Sequence, residues 1–557
     1  SEFFDYLNLR KSSQPGNISL QHRSYNSGLT GATWRVKPGD SLYINLFNHL
    51  EEVARRSEVV CDEDSNLCYD LTYNSKLGKC AKTEQMHPHG DSNSINKIDP
   101  ANFNNTNLHV HGLHVSPKGH SDNVFVNLKP GQRFQNRIHI REDHAQGSFW
   151  YHGHVHGSTA IQVSSGMAGA LIIEGGLDDQ KEIKEMKERI FMLQQMPYII
   201  ENGQAVIKYV ADTTFGNKTW KQGKWRTTIN GQVLPVISMQ EAEVQRWRFF
   251  HAGIRESVNL KLVSKPKNNK LYREQLHVIA EDGIAYGRVD ESDNMLLHPG
   301  YRADLLVQAP GEPDTLLLID DVSKELGAIS EIGDSVGTKA DSSANKEPLK
   351  VLALVIVQKR AVGDKLVVTE LPTSTDLAGY APYDSLVNEI TTTSDEMMTF
   401  DIDIKTKPEG FLIDGKAFDP HAAPRKLVLD AVQDWELSSK LGSHPFHIHV
   451  NHFQIIAKQK GKYVKVDGEK EWVPSGKFVP VKNPIWKDTY MVNGNEKTRI
   501  RTVYKDFTGQ FVIHCHILLH EDQGMMQRVE IIDKSNDESQ TSVLRNSVTG
   551  EPVAVCR

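Results

Sequence analysis

IHCHILLHEDQGMM, residues 513–526, puts imidazole, thiol, carboxylate and thioether groups within fourteen consecutive positions. In an extended strand, successive side chains alternate between faces. His514 and His516 then project one way and Cys515 the other, so one strand serves two sites. His520 lies five residues past the cysteine and Met525 ten past it. Upstream, His444 precedes a second pair, His447/His449. One thiolate, two imidazoles and a weak thioether form the donor set of a blue-copper electron-transfer site. The stretch therefore predicts one copper at His444, Cys515 and His520 with Met525 as the long axial ligand. It also predicts a second, all-histidine site across the strand.

Further along the chain the same spacing recurs. With 24 histidines in 557 residues, random placement gives about one H-x-H, counting matches to the template. Six occur: His87/His89, His109/His111, His152/His154, His154/His156, His447/His449 and His514/His516. Residues i and i+2 of a strand share a face, so both rings of a pair can reach one small volume. Four converging pairs offer eight nitrogens, which is too many for one ion and suits a cluster. Neutral imidazole binds copper, zinc, iron and nickel alike; Cys515, set between two histidines, selects copper.

The rest of the sequence fits strands around these pairs. Short β-branched and aromatic runs alternate with turn signals, as in Thr33–Val36, Pro38-Gly39-Asp40 and Ser41–Leu46, or Ala170–Ile173 before Gly175-Gly176. That spacing predicts an all-β chain of sandwiches with few helices. Its length implies several cores. A charged segment, Asp178–Glu188, reads as a short linking helix. Ser330–Pro348 reads as a long polar loop before a strand at Leu349–Val357, and a further connection follows near Lys359–Thr375. Three domains are drawn, 1–178, 179–360 and 361–557. Strands Val244–Phe250 and Ala431–Leu437, with Trp247-Arg248 and Trp435-Glu436, hint at one fold repeated. The net charge of -7 and the lack of a dense Lys/Arg run argue against a nucleic-acid partner. No apolar stretch reaches membrane-spanning length, so no membrane partner is expected. The opening SEFFDYLNLR has no apolar signal core, as in a mature protein trimmed of its leader or in a cytoplasmic one.

Leu108-HVHG, Trp150-YHGHVHG, Ser443-HPFHIHV and Ile513-HCHILLHEDQGMM resemble the four copper motifs of multicopper oxidases. Thr228-INGQ, the Trp247-Arg248 strand, Pro484-IWKDT and Asp506-FTG extend the likeness over nearly the whole chain, and its closest look is that of three-domain bacterial laccase-like enzymes. The resemblance implies three cupredoxin-like Greek-key β-sandwiches and four copper ions. It assigns His444, Cys515, His520 and Met525 to type 1 copper and His109 and His447 to type 2. His111, His152 and His516 fall to one type 3 ion, and His154, His449 and His514 to its partner. It implies one-electron oxidation of a small reducing substrate coupled to four-electron reduction of dioxygen to water, in a monomeric chain.

Two acids match family positions beside the cluster, Asp122 and Glu521. A carboxylate there can orient water and relay protons; the plain alternative makes Glu521 and Asp522 solvated loop charges. His156 reads as structural, His87 and His89 as solvent-facing, and His114, His120, His144 and His452 carry no assigned role. Twelve methionines are scattered, with adjacent pairs only at Met397-Met398 and Met525-Met526. Cuprous oxidases of the family it resembles often carry a methionine-rich insertion, so the resemblance here implies a phenol oxidase over a specialised cuprous oxidase. A ferrous-iron or bilirubin-oxidase-like enzyme stays open, as does a copper-binding scaffold with vestigial activity. Four cysteines besides Cys515 can form two disulfides, which would place the protein in a secreted or periplasmic compartment, or stay as four free thiols. The expected pairs are Cys61–Cys68 and Cys80–Cys556, the second resembling a tether in some laccases; Cys68–Cys80 with Cys61–Cys556 is the next choice.

Overall fold

Ser41–Phe47 alternates exposed and half-buried residues, and its antiparallel partner Gln132–His139 alternates buried with more exposed ones. This period of two marks strands with one face on a core. The computed structural model describes residues 20–51, 57–74, 79–84, 100–202, 204–207, 225–264, 273–321, 350–360, 367–373, 377–380, 395–403, 410–466 and 469–533, and the fold and site are those of these residues. By contact density the chain divides into two units. One comprises Ser1–Arg35, Gln146–Phe149 and Val163–Tyr380; the other comprises Val36–Ala145, Trp150–Gln162 and Ala381–Arg557.

The first unit holds a sandwich. One sheet runs in the order Trp225–Ile229, Lys187–Pro197, Val244–Ala252, Arg302–Gln308, Leu276–Glu281, Ile284–Ser292. The other contains Val236–Gln240, Lys350–Gln358, Asp314–Asp320 and Val258–Val263. Side chains from both sheets, among them Phe191, Trp247, Phe249, Leu260, Leu316 and Val355, form one apolar core. Val244–Ala252 is buried throughout, so its arginines need partners, because an unpaired buried charge is costly. Arg248 is ion-paired with Asp178, Glu188 and Asp304, and Arg246 with Asp178 and Asp304. The charged segment expected to link domains forms a helical turn at Gly176–Asp179 and a short helix at Lys181–Lys184. The expected loop 330–348 lies outside the described residues.

The second unit carries the histidine pairs. Its strands are β1 (Ser57–Cys61), β2 (Cys68–Asn74), β3 (His109–His111), the end of β4 (Gly147–His152), β5 (His444–Ile448), β6 (Thr489–Val492), β7 (Gly509–Cys515) and β8 (Met526–Ile532). Helix α1 spans Thr159–Ser165 and α2 spans Leu518–Asp522. β3 pairs antiparallel with β4, setting His109 opposite His152. In the five-stranded sheet Arg425–Val428, β8, β7, β5, β6, His447 stands opposite His514 and Phe446 opposite Cys515. Four histidine motifs thus reach one place from two strand pairs.

Candidate metal centre

His109, His111, His152, His154, His447, His449, His514 and His516 are all buried. Two pairs of rings lie face to face. His109 stacks on His449 at 3.8 Å between centroids, and His111 on His447 at 3.9 Å. His154, His449 and His516 lie just past the ends of their strands, so the strand period alone does not place them. Nε2 of His514 is 3.2 Å from Nε2 of both His154 and His449, and Nε2 of His516 is 3.2 Å from Nδ1 of His111.

Burial, aided by neighbouring imidazoles, lowers the pKa of His109, His449 and His516 well below the usual value, and that of His152 to about 3. Burial likewise takes His154 and His444 to about 4. The rings are therefore neutral and carry lone pairs. His109 Nε2, His152 Nε2, His449 Nδ1 and His516 Nδ1 are buried without a hydrogen-bond partner. Buried polar atoms are rarely left so, and lone-pair nitrogens crowded together call for a cation. The residues fit a metal cluster.

Three carboxylates grip the outer side of this cluster. Both oxygens of Asp122 lie 3.0 Å from His109 Nδ1, and Oδ1 also accepts the Val110 N–H. Burial pushes Asp122 up to about 8. Glu521 Oε2 is 3.1 Å from His514 Nδ1 and Oε1 is 3.6 Å from His154 Nδ1, while Thr159 donates its hydroxyl to Oε1. Burial alone would raise Glu521, but His154 and His514 outweigh it and bring it to about 2. Glu521 and Asp522 are both buried, so the reading of solvated loop charges does not hold. Asp522 accepts the N–H groups of Gly157, Thr159 and Ala160 at the start of α1.

The third carboxylate is Asp488. Its Oδ1 is 3.1 Å from His111 Nε2 and 3.7 Å from His447 Nδ1, and Thr489 donates to it at 2.7 Å. The Asp488 carbonyl accepts His447 Nδ1–H at 2.9 Å. In the sequence Asp488 belongs to the Pro484-IWKDT motif, and nothing in that motif by itself gives the residue a role. The pairing of β5 with β6 places it, since Thr489 stands directly opposite His447.

The other face of β7 differs in chemistry. Cys515 Sγ is 3.6 Å from His444 Nδ1 and 3.8 Å from His520 Nδ1, and those nitrogens are 3.3 Å apart. His444 is fully buried, and its Nε2–H donates to the Leu441 carbonyl. His520 is partly exposed and stacks on Phe411 at 4.3 Å. Burial pushes the Cys515 thiol well above its usual pKa. It becomes a thiolate there only with a cation beside it, as metal binding provides. Met525 is buried and joined by its backbone to both Cys515 and His520. Met526 packs instead with Val124, Phe418 and Val512.

The remaining candidates have other neighbours. His156 meets Phe418 edge to face at 4.7 Å. His114 bonds Asp506 and the Val450 carbonyl, His120 bonds the Gln135 carbonyl and the Cys61 N–H, and His144 accepts the His114 N–H. Cys61–Cys68 is a disulfide. His87, His89 and the Cys80–Cys556 pairing lie outside the described residues.

Family profiles described as multicopper oxidase match residues 88–177 and 383–535. The multicopper oxidase mco of Staphylococcus haemolyticus is 26% identical over 91% of this chain and 83% of its own length. A laccase of Bacillus subtilis is 23% identical over 72% of this chain and 74% of its own. The solved structure of a multicopper oxidase from Campylobacter jejuni, described as a metallo-oxidase, superposes with a TM-score of 0.58 at 21% identity, covering 93% of this chain and 98% of that one. The common fold is three cupredoxin-like β-sandwiches, and histidine clusters of this kind make up the type 1, type 2 and type 3 copper sites of such proteins. This chain belongs to the multicopper oxidase family, the copper-dependent oxidoreductases that reduce dioxygen.

Proposed function

We propose that the chain is a laccase-like oxidase taking single electrons from small phenols at the edge of His520. One observation carries this reading. Of the two imidazoles at Cys515, His444 is sealed behind the Leu441 carbonyl, whereas His520 is partly exposed beside the ring of Phe411. Phe411 is itself buried with its ring face against His520, so the open imidazole edge is the surface that a planar aromatic donor would meet. The scattered methionines support the same choice.

In this reading His444, Cys515, His520 and Met525 hold type 1 copper. His109 and His447 hold type 2. His111, His152 and His516 hold one type 3 ion, and His154, His449 and His514 the other. Bound copper supplies a one-electron acceptor at the first site and a multi-electron reducing centre for dioxygen at the cluster. Cys515 joins the two, because its peptide neighbours are His514 and His516. Asp122 and Glu521 orient the rings they touch and relay protons for water formation, as carboxylates behind metal-bound histidines do. Asp488 orients His111 and His447 together. The Cys61–Cys68 disulfide supports a secreted or periplasmic location.

Oxygen uptake by the copper-loaded chain tests the substrate. Turnover is expected with phenols and to be slower with Cu(I), Fe(II) and bilirubin. Fastest turnover of a metal ion would make the chain a metallo-oxidase, as the Campylobacter jejuni protein is described. No turnover with any donor would leave a copper-binding scaffold.

A further inference from the structure

The turn between β1 and β2 is closed by Cys61–Cys68, which face each other in the hairpin register. It touches two segments that carry the copper site. At its tip, the Asn66 side chain accepts the Gln510 N–H at 2.9 Å and donates back to the Gln510 carbonyl at 3.0 Å and to the Pro117 carbonyl at 2.7 Å. A two-way bond to one residue's backbone is what a neighbouring strand would make. The amide stands in for that strand at the start of β7, five residues before Cys515. Gly509 precedes this contact with φ +116°, and a Cβ there would crowd Lys118 Cγ at 2.5 Å while meeting Asn66 Oδ1 only at 3.5 Å.

On its other side the turn meets Asn123. Asn123 Nδ2 lies 3.4 Å from Cys68 Sγ and 3.8 Å from Cys61 Sγ, and donates to the Asn66 and Gly119 carbonyls at 3.4 Å each. Its Oδ1 accepts the Phe125 N–H and lies 3.4 Å from Asn66 Nδ2. The preceding residue is Asp122, which holds His109 Nδ1 and the Val110 N–H.

We infer that the Cys61–Cys68 turn is a clamp that positions the Asp122–His109 pair against β7, with Asn66 and Asn123 as its positioning residues. The inference rests on the reading of His109 as a type 2 ligand. A bracket tying the segment behind one ligand to the strand bearing others fixes their separation, and groups behind a metal ligand act on the ion through that ligand's orientation.

Asn66→Ala removes the four side-chain bonds of Asn66 and leaves every proposed ligand and acid in place. In the copper-loaded full chain it is expected to change the type 2 electron paramagnetic resonance pattern. Loss of that ion to a chelator should become about tenfold faster, with the blue band unchanged. Asn66→Asp keeps the acceptor for Gln510 and should fall between. Leu262→Ala, in the core of the first unit, serves as a control for lost thermal stability and should move neither readout. If Asn66→Ala does not fold, the double variant Cys61→Ser/Cys68→Ser opens the turn and should act in the same direction. A type 2 pattern and release rate equal to those of Leu262→Ala overturn the clamp, as does loss of the blue band together with the type 2 change. His109→Ala separates the two claims. A type 2 signal surviving there overturns the ligand reading, whereas a signal lost there but unmoved by Asn66→Ala overturns the clamp alone.

Discussion

The two faces of β7 are built from different materials. On the Cys515 face, a thiol and two imidazoles are steadied by a backbone carbonyl and by the rings of Phe400 and Phe411. On the other face, buried carboxylates contact five of the eight histidines: Asp122 on His109, Glu521 on His154 and His514, Asp488 on His111 and His447. An electron carrier that changes charge by one needs a rigid surround with little reorganisation. A centre that makes water must also receive protons, and carboxylates are suited to that. On the proposed reading each face does one half of the reaction, and substitutions on either side can break that division.

The largest effect is expected on the Cys515 face. Cys515→Ser removes the thiolate donor and leaves the eight cluster histidines untouched. The intense visible band should vanish and turnover fall to background, with the other three coppers retained by metal analysis. A variant that stayed blue would mean the two faces had been assigned wrongly.

Glu521→Gln attacks the opposite face. The amide keeps the shape and cannot carry a proton at neutral pH. Reoxidation of fully reduced enzyme by oxygen, followed by stopped flow, should slow about 10²-fold, while reduction of the blue site by a phenol keeps its rate. Equal slowing of both halves would erase the division of labour.

A finer division lies within the carboxylates. Asp488 touches two histidines proposed for different coppers, and Asp122 touches one. Asp488→Asn should weaken copper retention about tenfold and disturb both the type 2 resonance signal and the near-ultraviolet band of the coupled pair. Asp122→Asn should disturb the type 2 signal alone. The same response from both variants would mean that Asp488 is not shared.

Half of the contrast is legible in the sequence. Alternation across His514-Cys515-His516 is enough to separate the two faces, the strands at Ser41 and Ala170 follow from β-branched and aromatic runs between turn signals, and that at Val244 follows from the Trp247-Arg248 echo. Asp488 is not legible there, because its meaning depends on His111, 377 residues away, and on which side of β6 it leaves the chain. The burial of Glu521 and Asp522 is equally hidden. Both belong to a polar HED run that reads as a surface turn, and only the packing of α2 against α1, through Thr159 and the N–H groups Asp522 accepts, takes them out of water. His449, His154 and His516 lie beyond their strands, so the H-x-H argument reaches rings that do cluster by a period that they do not strictly obey.

The smallest predicted effect sharpens the Cys515 face alone. Met525 and Met526 are adjacent, and the structure sends them to different neighbours. Met525 N–H bonds the His520 carbonyl at 2.8 Å, and its carbonyl accepts the Cys515 N–H at 3.0 Å. Met526 belongs to the apolar cluster of Val124, Phe418 and Val512. A thioether is a weak axial donor that favours the cupric form modestly, and axial identity is one lever on a blue site's potential. Met525→Leu removes the sulfur at nearly constant volume, so stability should change by less than about 1.5 kcal/mol. The potential should rise, and phenols that are hard to oxidise should react faster where electron extraction limits turnover. Met526→Leu makes the same change in volume one residue away and should leave the potential alone. A redox titration that moved for Met526→Leu and not for Met525→Leu would transfer the axial role to the neighbour. If neither moved, the potential would be set by burial and by the Ile517 N–H, which lies 3.4 Å from Cys515 Sγ. The rigidity of this face would then come from its backbone.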